Sequence, residues 1–287
     1  MIAALSSGDK IRIIAPSGVF PAEPFHAGVQ IIEAMDLRPV FNEAIFARQG
    51  YLAGPDAQRL KSFYEALEDP EAKAIWIARG GYGATRLLPQ IDVKRIAAAG
   101  KQLIGFSDTS ALHAVWARAG LPSVHGPNVT TLATWTPEAR QALQAILLGR
   151  GKGQALQGRG MGGHGVVRGA LHGGNLTVLA AMAGTGFLPS WQGAVLLLED
   201  VGEKPYRLDR CLTQLRQAGT FAGLCGFALG QFTDCGDDAL AVVVATLKDL
   251  DLPIVAELPV DHDKTSRAVL LGATVELDAA QGMLRSL

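Results

Sequence analysis

The chain predicts an α/β protein of two domains, and three observations predict it. Its 287 residues exceed one domain at roughly 150 residues each. Short β-branched or apolar runs alternate with helical patterns through the first half, which implies right-handed crossovers and a mostly parallel sheet. That alternation breaks in a glycine-rich stretch and then resumes. We therefore expect an N-terminal parallel-sheet (flavodoxin-like) domain over 1–148 and a linker or loose crossover over 149–168. A C-terminal α/β or α+β domain over 169–287 completes the chain.

Taken in order, "KIRIIAPSG" is a strand ending in a Pro/Ser/Gly loop, "PFHAGVQIIEAMD" a helix and "PVFNEAI" a second strand. "DAQRLKSFYEALEDP" sets Leu60, Phe63, Ala66 and Leu67 at helical spacing and stops at Pro70. "AKAIWIARGGYG" is a third strand running into glycines, and "KQLIGFSD" a fourth. In "LGRGKGQALQGRGMGGHGVVRG" glycine is frequent and periodicity is lost, the signature of a connection. "LHGGNLTVLAAMAGTG" then reads as a helix after a glycine loop, and "GAVLLLED" as a strand. "PYRLDRCLTQLRQAG" is a helix opened by Pro205 and closed by Gly219. "GLCGFALGQFTDC" and "PIVAELPV" supply further strands around the helix "DDALAVVVATLKDL".

Composition narrows the function. With 48% apolar and 18% charged residues the chain has the make-up of a soluble globular protein. A formal net charge of -1 gives no electrostatic reason to expect nucleic acid or an anionic membrane, so a small or neutral ligand is the default. No window reaches the roughly eighteen apolar residues of a spanning helix, and "MIAALSSGDK" lacks a basic region followed by a long apolar one. Cys211, Cys225 and Cys235 are odd in number and form no C-x-x-C pair, which fits a reduced, cytoplasmic protein.

Chemistry concentrates first in "LIGFSDTSALH". A strand delivers Ser107 to the start of a helix with Leu112, Val115, Trp116 and Ala119 at helical spacing and Gly120 as its stop. A serine there presents its hydroxyl at the carboxyl edge of the sheet, with backbone N–H groups at the positive helix end available to an oxyanion. Gly105 matches the first glycine of G-x-S-x-G, but Thr109 replaces the second. The competing reading is a plain helix cap, for which Ser, Asp and Thr are the preferred residues. Gly80, Gly81 and Gly83 after the third strand allow close backbone approach to a ligand, or only a tight turn. The loop is neither a Walker motif nor a complete dinucleotide motif.

A base and a carboxylate are then needed. His26, His113 and His164 sit at a helix start, on a helix and in the glycine stretch; His125 and His172 lie in loops; His262 follows a strand between Asp261 and Asp263. Those acids would raise its pKa. Spacing alone does not choose among His125, His172 and His262. Glu199 and Asp200 end a strongly apolar strand, at the edge where α/β proteins place ligands. The alternative role for acids there is to complement the following helix, which Glu203 and Asp209 fit better. No H-E-x-x-H occurs, "DHD" has no third ligand group, and Cys235 lies among acids that disfavour its thiolate, so metal and cysteine chemistry are not expected.

In their order, "IAPSG", "YLAGPDAQRL", "ARGGYGATRLLPQID", "LIGFSDTSALH", "HGPN", "LHGGNLTVLAAMAGTG", "LLLEDVGEKPYRLDR" and "GQFTDC" resemble one family over nearly the whole chain. These are the LD-carboxypeptidases, serine peptidases that trim the murein tetrapeptide, with the microcin C immunity peptidase as a relative. The resemblance implies a Ser–His–Glu triad on Ser107, His262 and Glu199, formed between the two domains and commonly within a homodimer. It implies an oxyanion hole of backbone N–H groups near Gly81 and Asp108, with Gly80 and Tyr82 as substrate-binding candidates and no metal or cofactor. Many members carry Gly-His-Gly at the base, where this chain has Asp261-His262-Asp263. The expected activity is release of the terminal D-alanine from murein tetrapeptide in peptidoglycan recycling. The alternatives are a same-fold peptidase of peptidyl-nucleotide or other amide conjugates, and a non-catalytic binder of murein peptides.

Overall fold

The computed structural model describes residues 4–287, so residues 1–3 of the first predicted domain lie outside the described residues. The first half alternates as the pattern predicts: β1 (Lys10–Ile14), α1 (Ala22–Ala34), β2 (Arg38–Val40), α2 (Asp56–Glu68), β3 (Ala72–Ile77), α3 (Val93–Ala99), β4 (Gln102–Gly105), α4 (Ser110–Arg118) and β5 (Ser123–His125). These five strands pair in parallel in the order β5-β4-β3-β1-β2. Strand alternation divides the core. Ala74 and Trp76 of β3 pack with Phe25 and Ile32 of α1, while Ile75 and Ile77 pack with Phe63 and Leu67 of α2 and Trp116 of α4. Both faces are covered, which is why β3 reads as a continuous apolar run.

Two helices, α5 (Val129–Leu132) and α6 (Pro137–Leu147), lead out of this unit. The second sheet is mixed. Its elements are β6 (Ala155–Gln157), β7 (Arg159–Gly162), β8 (Val166–Asn175), α7 (Leu176–Met182), β9 (Val195–Val201), α8 (Pro205–Gln217), β10 (Gly226–Thr233), α9 (Ala239–Leu247) and β11 (Ile254–Ala256). They are followed by β12 (Val269–Leu271), β13 (Thr274–Asp278) and β14 (Met283–Ser286). β8, β9, β10 and β11 run parallel, while β6, β7, β13 and β14 pair antiparallel around them. A core of Leu196, Leu198, Leu208, Leu212, Phe227 and Val243 joins β9 and β10 to α8 and α9.

Four sequence expectations change. "PVFNEAI" is a strand only over Arg38–Val40; Asn42 then accepts from the Ala44 N–H at 2.9 Å and starts a 3₁₀ turn. The stretch over 149–168 is not a free linker. β6 pairs with β14 and β7 with β11, and the glycines serve close packing: a Cβ on Gly160 would stand 1.9 Å from the Ala279 carbonyl oxygen. "LHGGN" is the end of β8 rather than a loop. Finally, β12 leaves the second half and pairs antiparallel with β5 of the first sheet, matching Val269 to His125. No helix among the described residues is long and apolar enough to cross a membrane.

Candidate active site

β4 ends at Gly105, and the chain turns sharply at Ser107, whose φ is +64°. A side chain in that left-handed region costs roughly 1–2 kcal/mol. A 3₁₀ turn over Ser107–Thr109 follows, and α4 begins only at Ser110, with no side-chain cap at either start. The serine is thus a strained turn residue ahead of the helix rather than its cap. Gly80 packs directly on it: a Cβ there would lie 2.9 Å from both Cβ and Oγ of Ser107.

The glycine loop is tied to the serine turn from below. The buried Asp108 carboxylate accepts from the Ala84 N–H at 2.8 Å. Burial pushes the Asp108 pKa up, against opposing bonds from Ser17 and the backbone of Ala84 and Gly83. Arg59, also buried, donates to the Gly83 carbonyl at 3.0 Å and to that of Pro16. Asn128 accepts from the Phe106 N–H at 3.3 Å and lines the same junction. Arg59 and Asn128 were not singled out by sequence. Their one signal is polarity inside quoted blocks, since burial is invisible there. Gly81 is left-handed at φ +95°, and Tyr82 is exposed, its ring 5.9 Å from that of Tyr51.

Glu199 lies on β9 with none of its surface exposed. Its Oε2 is 3.0 Å from Nε2 of His262, and its Oε1 is 3.6 Å from Nε2 of His125. Neither contact meets hydrogen-bond geometry, His125 Nε2 standing too far from its oxygen, so both are ion-pair approaches rather than formed hydrogen bonds. Apo catalytic contacts are often of this kind and tighten with substrate. Burial would raise the Glu199 pKa, but the two imidazoles outweigh it and hold the carboxyl below its ordinary range. Burial likewise would lower the His262 pKa, and the Glu199 carboxylate reverses the sign, so the net shift is upward.

Of the flanking acids, Asp261 raises the His262 pKa as the sequence suggests, though behind Glu199 and Asp200. Its side chain also accepts from the Asp263 N–H at 2.8 Å, while its own N–H donates to Ser266 Oγ at 3.0 Å. Neither Asp261 nor Asp263 has a positive φ, so this loop has no need of glycine. The His262 ring rests on Phe106, the residue before Ser107, with centroids 4.6 Å apart.

Neighbouring groups separate by alternation along β9. Asp200 turns away from Glu199, accepting from Asn175 Nδ2 at 3.0 Å and from the Thr177 N–H at 2.9 Å and hydroxyl at 2.7 Å. It anchors the start of α7. His113 is buried between Ser123 Oγ at 2.8 Å and the Gly105 carbonyl at 2.9 Å, and burial takes its pKa down to about 3. It is a neutral strut under the β4 end. His172 lies on β8 and is not joined to Glu199. Among the described residues no group of three or more His, Cys, Asp or Glu side chains is placed to hold a metal. The three cysteines are free thiols.

A serine on a strained turn, an imidazole packed on the residue before it and a buried carboxylate on that imidazole form the outline of an acyl-transfer site. Comparison with known proteins identifies the type. The family model of the LD-carboxypeptidase N-terminal domain matches residues 11–126, and that of the LD-carboxypeptidase C-terminal domain matches residues 168–277. The chain belongs to the LD-carboxypeptidase family. The murein tetrapeptide carboxypeptidase of Pseudomonas aeruginosa is 37% identical over 94% of this chain and 93% of its own. Among solved structures, the muramoyltetrapeptide carboxypeptidase from Oxalobacter formigenes superposes with a TM-score of 0.85 at 28% identity, covering 96% of this chain and 97% of that one. The microcin C7 self-immunity protein in complex with aspartyl sulfamoyl adenosine gives 0.87 at 22% identity over 99% and 97% of the chains, a likeness of fold. As an LD-carboxypeptidase the protein is a serine-type carboxypeptidase, a hydrolase.

Proposed function

We propose that the enzyme hydrolyses the bond between the L-centre of the diamino acid and the terminal D-alanine of a murein tetrapeptide, through Ser107, His262 and Glu199. The observation that carries this reading is the buried Glu199–His262 pair at 3.0 Å, with His262 packed on the residue preceding the strained serine. Ser107 Oγ attacks the carbonyl carbon as His262 takes its proton. Nε2 of His262 is occupied by Glu199, so Nδ1 is the nitrogen left for the exchange. The imidazolium that forms is stabilised by the Glu199 carboxylate and returns its proton to the leaving amine. Water then cleaves the acyl-enzyme by the same proton route.

Backbone N–H groups of Gly81 and Asp108 hold the oxyanion in this scheme, a type of donor whose loss costs about 10²–10³ in rate. Gly80 keeps space open beside the nucleophile, and Tyr82, exposed at the loop tip, offers a face to the peptide. No cofactor takes part. A homodimer, a cytoplasmic place and a role in peptidoglycan recycling belong to the same proposal; sedimentation of the purified protein tests the first.

D-alanine release from murein tetrapeptide tests the core of it. Ser107→Ala and His262→Ala are expected to abolish turnover, and chelator to leave it unchanged. A fully active Ser107→Ala would end the mechanism. An aminoacyl sulfamoyl nucleoside in the same substrate panel tests the alternative, in which nucleotide conjugates outrun the tetrapeptide.

A further inference from the structure

His125 is the second imidazole on Glu199, and the proposed chemistry does not use it. It closes β5, where it is paired in register with Gly105 of β4 on one side and Val269 of β12 on the other. Only 2% of it is exposed. Its approach to β9 passes over Gly174 on β8: a Cβ built there would lie 3.6 Å from the ring carbon Cδ2 of His125 and 2.4 Å from Ser110 Oγ. Gly174, at φ +139°, leaves room for both. The ring is also flanked by Phe106 at 6.2 Å between centroids and by His113 at 6.0 Å.

We propose that His125 is a positioning residue: its Nε2–H faces Oε1 of Glu199 and fixes the carboxylate plane so that Oε2 is presented to His262. Three features of the geometry favour this. Two acceptors cannot face one another in a buried site without a proton between them, so the nitrogen toward Glu199 carries one. The two carboxylate oxygens are divided, one to each imidazole, at 3.6 and 3.0 Å. The ring is held by strand pairing on both sides rather than by a mobile loop, so the oxygen it faces is fixed relative to β4 and Ser107. A carboxylate held at one oxygen alone would rotate about its terminal bond.

The charged and titratable neighbours set the sign of the pH effect. They are Glu199 and Asp200 on β9, His262 on the loop after β11 and His113 on α4. An N–H dipole directed at Glu199 offsets part of the charge that the carboxylate presents to His262. Its removal leaves a more basic carboxylate, so protonated His262 is favoured and activity needs a higher pH.

The inference rests on the proposed triad, and the experiment keeps the two apart. His125→Phe, His125→Gln and Ser107→Ala are compared in the tetrapeptide assay across pH, with melting curves for each. His125→Phe is expected to lower kcat roughly 10–100-fold, the span of a hydrogen bond to a charged group, for a contact that closes from 3.6 Å when substrate binds. KM should stay within threefold, and the rising limb of kcat/KM should move to higher pH. His125→Gln keeps an amide N–H at about the reach of Nε2, and should recover much of kcat and return the limb toward its original place. If His125→Phe melts at working temperature, the displaced or unmoved limb of His125→Gln decides alone. Wild-type kcat and limb in both folded variants would overturn the positioning role while leaving the triad. An active Ser107→Ala would remove the triad itself.

Discussion

Replacing Gly80 by alanine separates placement of the nucleophile from its chemistry. Gly80 is not in the left-handed region, so alanine can adopt its backbone conformation. The added Cβ would nevertheless stand 2.9 Å from Cβ and Oγ of Ser107 and 3.3 Å from Asn128 Nδ2. Non-bonded carbon contacts settle at roughly 3.5–4.0 Å, so one side must retreat by about 0.6–1 Å. Gly80 is held by its carbonyl, which accepts from the Gly18 N–H at 3.0 Å, three residues past the end of β3. Ser107 sits on a single strained turn and is the side that yields. A misplacement of about 1 Å costs on the order of 10²-fold in rate. The added volume itself costs about 1–3 kcal/mol of stability. Steady-state D-alanine release from murein tetrapeptide, read beside a thermal melt, should show kcat down about 10²-fold in a protein that still folds. A folded Gly80→Ala within threefold of wild-type kcat would refute the packing of this loop on a catalytic serine.

Three further outcomes follow from the same geometry. Ser107→Gly and Ser107→Ala should both be inactive, but the glycine variant should be the more stable by about 1 kcal/mol, because only glycine relieves the φ of +64°; chemical denaturation measures the difference. Glu199→Gln leaves the burial of His262 opposed only by the weaker fields of Asp200 and Asp261, so the rising limb of kcat/KM should move to lower pH while kcat falls by up to about 10⁴. The stability share of Glu199 is complete above its unfolded value near 4.5 and is lost as pH falls through its lower folded value. That of His262 is complete below 6.5 and is lost as pH rises through its raised folded value. The destabilisation by Glu199→Gln should therefore be greatest between about pH 4.5 and 6.5, as urea melts across pH will register. Asp261→Ala removes the acceptor for the Asp263 N–H and should cost about 1 kcal/mol and lower kcat, with Asp261→Asn restoring both.

The legible part of the fold was the part with a period. β1, α2, β3 and α8 follow apolar spacing and Pro or Gly punctuation, and they stand where those signals put them. The glycine stretch misled because glycine was taken for slack, whereas Gly160 is needed where β7 meets a neighbouring carbonyl. β12, β13 and β14 carried no usable signal, since short strands are defined by partners far along the chain. At the site, residue types offered Ser107 as nucleophile or helix cap and placed Glu199 at a strand end, and only family order assigned roles to Ser107, Glu199 and His262. The double engagement of Glu199 was not legible, because His125 and His262 lie far apart in the chain and meet at Glu199 only once the strands have paired. Asp261 and Asp263 were read as charges, and the structure makes Asp261 chiefly a backbone tie.

That crossing strand also explains why the site does not depend on chance alignment of two halves. The loop bearing His262 leaves β11 in the second sheet and enters β12 in the first, so both of its ends are fixed by strand pairing. His125 pairs with β12 itself, and β4, which delivers Ser107, pairs with β5. Ser107 and His125 therefore hang from one sheet edge, and the His262 loop returns to it, while Glu199 is brought from β9. A fully buried carboxylate is costly unless its charge is matched, and here the matching charges or donors come from that same edge. Displacing the second sheet would strip Glu199 of both imidazoles at once. The compensation that makes Glu199 tolerable in the interior is thus the same contact set that aligns it with His262, so on the proposed triad stability and catalysis should fail together when it is lost.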